Sequence, residues 1–146
     1  MADLTVYITE KITLDSNTRN VLTTQTISNI ANVDNRVLSI PTGSLIKLFY
    51  FSSSMVDAAT FTTSSFKYGR ITNKSSNPIK LDVTYNNSPS NAVFEITAGS
   101  SFMLSSTKFS GSYMAPNNFT YNDYITSITV ESSGSASTVE YFIATT

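Results

Sequence analysis

Apolar positions along this chain recur at every second residue, which is the period of a β-strand with one buried face. Leu4, Val6 and Ile8 alternate with Thr5, Tyr7 and Thr9, and Ile12 to Leu14 continue the same strand. Residues 21–30 (VLTTQTISNI) predict a second, more polar strand. Residues 36–40 (RVLSI) predict a third that ends at Pro41, which cannot donate to a sheet ladder. Residues 44–51 (SLIKLFYF) read as a buried central strand, and SSSMVDAAT (52–60) has room for one helical turn at most. Further on, Phe66, Tyr68, Arg70 and Thr72 share one face. Ile79, Leu81, Val83 and Tyr85 alternate with Lys80, Asp82 and Thr84, the pattern of a sheet with one wet side. Residues 92–97 and 101–105 supply two more short strands, and 125–131 and 138–144, separated by SSGSAS, predict a closing hairpin. About ten short strands separated by turn signals predict an all-β, single-domain β-sandwich over 1–146, jelly-roll-like. Leu81, Val83, Ile128, Val130, Tyr141 and Ile143 are its expected inward positions.

Composition narrows the chemistry. The 146 residues carry 24 Ser and 21 Thr, 17 aromatics as 9 Phe and 8 Tyr, and a net charge of -1. Surface scaling leaves roughly 7,300 Å² exposed of about 23,000 Å² in the unfolded chain, enough burial for one real core. His and Cys are both absent. That removes the histidine base, the Ser-His-Asp triad, the thiol nucleophile, disulfides and any His/Cys metal site. Near-zero net charge offers no field for nucleic acid. Met1–Thr5 lacks the basic n-region of a secretory signal, and no apolar run nears the roughly 18 residues of a membrane span. The expectation is a protein with no cofactor, no nucleic-acid partner and no membrane partner, not exported through a cleaved signal.

The acid-base groups that remain are scattered. Asp34, Asp57, Asp82, Asp123, Glu10, Glu95, Glu131 and Glu140 form no local pair of the glycosidase kind. Asp82, Glu95 and Glu140 fall at the polar positions of alternating strands, where a solvated face carries its charge. Asp15-Ser16-Asn17 and Asn32-Val33-Asp34-Asn35 read as oxygen-rich loops, but neither has calcium-loop spacing, and turn formation is the better reading. Asn73, Asn86 and Asn118 head Asn-x-Ser/Thr triplets, about the four that chance predicts here, so they carry no signal. The segment 108–123 (KFSGSYMAPNNFTYND) predicts a long polar-aromatic loop. Its Phe109, Tyr113, Met114, Phe119 and Tyr121 either plug the sandwich end, contact a partner, or stack on a sugar.

The opening MADLTVYITEKITL, the segment KYGRITNKSSNPIKLDV (67–83), AGSSFMLSS (98–106) and the closing STVEYFIATT (137–146) resemble small virion proteins of tailed bacteriophages along most of the chain. Such proteins typically begin MADLT, carry a Y-x-R-[IL]-T-N strand end and an A-G-x-S-F turn, and close in a β-strand. The matching residues are Tyr68, Arg70, Ile71, Thr72 and Asn73, then Ala98, Gly99, Ser101 and Phe102. Ser75-Ser76 stands where an acidic turn is expected. The resemblance implies a non-enzymatic capsid decoration (cement) protein, made in the host cytoplasm and carried on the capsid exterior. It implies binding to the major capsid protein and to its own copies as a homo-oligomer, a trimer among the options. A tail, neck or head-fibre component is the alternative within the virion. Outside that class stand a carbohydrate-binding module using the 108–123 aromatics and, furthest, a two-carboxylate enzyme.

Overall fold

The computed structural model describes residues 1–54, 60–86, 91–109, 123–132 and 134–146. These hold twelve strands: β1 (Ala2–Leu14), β2 (Asn17–Ile30), β3 (Asn32–Ile40), β4 (Leu45–Ser52), β5 (Thr60–Thr62), β6 (Phe66–Asn73), β7 (Ile79–Tyr85), β8 (Ala92–Ile96), β9 (Ser101–Leu104), β10 (Lys108–Phe109), β11 (Asp123–Ser132) and β12 (Ser137–Thr145). No helix occurs among the described residues. The sheets run β5-β4-β11-β7-β8, with β10 on β11, and β3-β12-β6-β9, while β1 and β2 pair only with each other. Without the two short strands β5 and β10, the sheets are β4-β11-β7-β8 and β3-β12-β6-β9. The chain crosses between them at every step, β3/β4, β4/β6, β6/β7, β8/β9, β9/β11 and β11/β12, except β7/β8. That interleaving is a double-sheet jelly roll.

The two inner faces build one core. Leu81, Val83, Ile128, Val130, Tyr141 and Ile143 are all buried, as the alternation predicts. Phe49 meets Tyr141 edge-on at 5.0 Å, and Phe51 meets Phe66 edge-on at 5.4 Å, an arrangement the ring quadrupoles favour. A bulge lets the apolar run of β4 contribute more than alternate residues. Phe49 faces Ile128 and Lys47 faces Thr129, so Leu48 is extra, and Leu48 and Phe49 are both buried. At Gly69 in β6 an added Cβ would meet the Phe66 ring at 3.3 Å, so the ring would have to give by a few tenths of an ångström.

The closing hairpin expected from 125–131 and 138–144 does not form. Strand β11 lies between β4 and β7, while β12 lies between β3 and β6. Their connection carries Gly134 at positive φ and bridges the two sheets instead of folding one strand onto the next. Residues 32–35 are not a loop either. They open β3, and Asp34 points inward to accept hydrogen bonds from Arg36 Nε at 3.0 Å and Tyr141 Oη at 2.9 Å.

Candidate functional site: a two-stranded arm on the outer sheet face

Strands β1 and β2 form a long hairpin closed by Asp15 and Ser16, both at positive φ (49° and 65°). Two central residues of that kind make the type I′ turn, whose twist suits antiparallel strands. The turn reading of Asp15-Ser16-Asn17 is the one the structure shows. At the other end the register shifts between Ala2 and Leu4, and Asn29 adopts a φ of 66°. This bulge turns the ribbon where it leaves the sandwich, and Ala31, whose N–H donates to the Thr145 carbonyl at 2.9 Å, is the sole residue between β2 and β3.

Cross-strand pairing assigns each side chain to a face. Leu4, Val6, Ile8, Glu10, Ile12 and Leu14 share one face with their partners Ile27, Gln25, Thr23, Val21, Arg19 and Asn17. At the base of the arm this face is packed. Leu4, Val6, Ile27 and Ile30 sit on Tyr68, Phe142 and Ala144, which lie on the outer side of β6 and β12. Strand β12 is therefore buried on both sides, which is why TVEYFIA carries apolar residues at positions that should face water. Beside this patch Glu140 accepts from Arg70 at 2.6 Å and pairs with Lys74 at 3.7 Å.

Beyond the base no described residue covers the arm. Residues 9–26 are all exposed, a projection of about 20 Å at the ordinary rise of a strand. Its apolar stripe continues regardless, with Ile12 51%, Leu14 60% and Val21 54% exposed. An isolated two-stranded ribbon is only marginally stable in water, so side chains of this kind are suited to a surface supplied from elsewhere.

The sequence-derived sites fare unevenly. Tyr113, Met114, Phe119 and Tyr121 lie outside the described residues. Phe109 is placed as backbone in β10, opposite Asp123. Several of the scattered carboxylates are held in ion pairs: Asp34 with Arg36, Glu140 with Arg70 and Lys74, and Glu131 with Lys80 at 3.0 Å. Among the described residues no three Asp or Glu side chains gather at a possible metal position. Asn73 is fully buried. Its Nδ2 donates to the carbonyls of Asn77 (2.8 Å) and Ile96 (3.0 Å), and its Oδ1 accepts from Ser75 N (3.0 Å). This Asn ties the β6 end to the following turn and is no glycan acceptor. A shallow cleft of about 310 Å³ runs along Pro78, Lys80, Val93, Phe94 and Glu95.

The arm was the surface missed from sequence. Its signal was present, as two hydroxyl-rich strands with period-two apolar residues flanking a two-residue turn, but alternation alone does not say whether the apolar face is covered.

No family model matches the chain, and no curated protein does. A solved structure from work titled "Bacillus endospore appendages form a novel family of disulfide-linked pili" is similar over 81% of this chain and 88% of that chain, at 11% identity and a TM-score of 0.42.

Proposed function

We propose that this chain is a non-enzymatic structural protein of a tailed-phage virion, a decoration subunit on the capsid exterior that binds the major capsid protein and its own copies. The observation that carries the reading is the arm. It adds to a sandwich with one continuous core a ribbon whose apolar stripe finds no cover among the described residues. A protein that works by being held in place needs such a contact element and no reactive centre. The Ser- and Thr-rich surface suits wet, neutral contacts between crowded subunits. The resemblance of the opening, the 67–83 segment and the C-terminal strand to small virion proteins supplies the setting.

The test uses an arm shortened without loss of its turn. Deleting residues 9–14 and 17–22 joins Ile8 and Thr23 through the native Asp15–Ser16 turn, in the register phase that Leu14 and Asn17 now occupy. The shortened protein should melt within a few degrees of the parent, because the packed base is retained. On capsids stripped of the protein it should be retained far less well. Equal occupancy of parent and shortened chain on the particles would remove the arm from the attachment surface.

A further inference from the structure

We propose that the exposed half of the arm seats on a second copy of this chain, across the part of the outer β3-β12-β6-β9 face that the arm base leaves open, around Val33 and Val37. The inference rests on the reading of the arm as an assembly element and names its partner.

The complementarity is already displayed within one molecule. The stripe that begins Leu4–Val6–Ile8 packs at its base on the outer side of β6 and β12, over Tyr68, Phe142 and Ala144. Register places Val33 opposite Ala144 and Val37 opposite Glu140, so both valines lie on this same outer face, on the edge strand β3. Val33 is 55% and Val37 62% exposed. A donor stripe and an acceptor face of matching chemistry are thus both uncovered. The arm cannot join them within one chain, since residues 9–26 project clear of the sandwich. Only another copy brings them together.

Charge agrees with this partner. Glu10 and Arg19 lie on the donor face, and neither has an ion-pair partner among the described residues. The acceptor face groups Glu140 with Arg70 and the half-exposed Lys74, two bases to one acid, which leaves a base for Glu10. Area sets the mode of assembly. A ribbon face about 20 Å by 10 Å falls well short of the roughly 800 Å² per partner of a standard stable interface. One arm on one face is therefore a weak contact, and a reciprocal pair or closed ring, in which each copy gives an arm and receives one, doubles it.

The experiment replaces apolar side chains by Thr, which keeps β-branching and strand propensity. One variant carries Ile12→Thr and Val21→Thr on the arm; the other carries Val33→Thr and Val37→Thr on the face. All four positions are exposed, so both proteins should keep the parent's circular dichroism and melting temperature. Sedimentation velocity over a concentration series should show the parent self-associating and each variant weakened about tenfold or more. An equimolar mixture should associate more tightly than either variant alone but more weakly than the parent, because it restores one of the two arm-on-face contacts of a reciprocal pair. A parent that stays monomeric throughout overturns the proposal. So does a face variant that self-associates as tightly as the parent, which points to arm-on-arm contact, or a mixture no tighter than the separate variants. If the copies do not self-associate while arm shortening still strips the protein from particles, this inference fails and the decoration reading stands. If self-association passes and particle retention ignores the arm, the reverse holds.

Discussion

Two side chains show what single residues contribute here. Asn73 satisfies two backbone carbonyls and two donor groups of Ser75 from a fully buried position. Asn73→Ala takes a donor from the Ile96 carbonyl and from the Asn77 carbonyl, which keeps Ser75 Oγ at 3.2 Å, and costs about 1–3 kcal/mol for a group left unsatisfied. Chemical denaturation should show that loss with an unchanged slope, and Asn73→Asp should be worse, because it sets an acceptor against two acceptors. Tyr141 is buried and donates to Asp34, and its pKa is pushed from 10.0 to about 12, first by burial and then by that hydrogen bond. The folded state therefore holds the phenol proton more tightly than the unfolded chain. Its stabilising effect is complete below pH 10 and is lost as pH rises from 10 towards 12. Melting temperatures measured across that range should fall less steeply for Tyr141→Phe than for the parent. An identical slope in the two proteins would mean that other groups govern alkaline unfolding.

At the scale of elements, the strands differ by how many of their faces are covered. Strand β7 buries one face, so Ile79, Leu81 and Val83 are core while Lys80 is exposed and pairs with Glu131. Ile143 lies in the two-sided strand β12 and is fully buried. Ile143→Ala should cost about 2–5 kcal/mol in thermal or urea unfolding. Lys80→Ala and Val21→Ala should each stay within roughly 0.5 kcal/mol, since they alter exposed positions. A large effect from Val21→Ala in the isolated, dilute subunit would show that the arm packs on its own chain after all. The bulges matter at this scale as well. One adds an inward residue to β4, and another lies where the arm leaves the sheet. Neither has a one-residue signature, because each is a mismatch of count between two paired strands.

For the molecule as a whole, the jelly roll joins strands far apart in sequence. Residues 32–40 pair with 137–145, about a hundred residues away in the chain. Closing such loops before their contacts form makes folding slow, so refolding of the parent should fall in the millisecond-to-second range by stopped-flow fluorescence of its tyrosines. The shortened-arm protein should refold at a similar rate, because the arm is a local hairpin added to a core made elsewhere.

Alternation by itself determined much of this protein: the all-β class, most strands, the inward residues of β7, β11 and β12, and the absence of histidine and thiol chemistry. These follow from local rules, since a period of two and a missing residue type can be read without knowing the neighbours. The tertiary structure decided the rest. It separated 125–131 from 138–144 into different sheets, drew Asp34 into a strand beside Tyr141, and buried the second face of β12 under the arm base. It also left Ile12, Leu14 and Val21 uncovered although they repeat the pattern of Leu4 and Val6. The reason is the same in each case. A strand's sequence states which side chains share a face, but what that face meets is settled by pairing partners and bulges that may lie a hundred residues away.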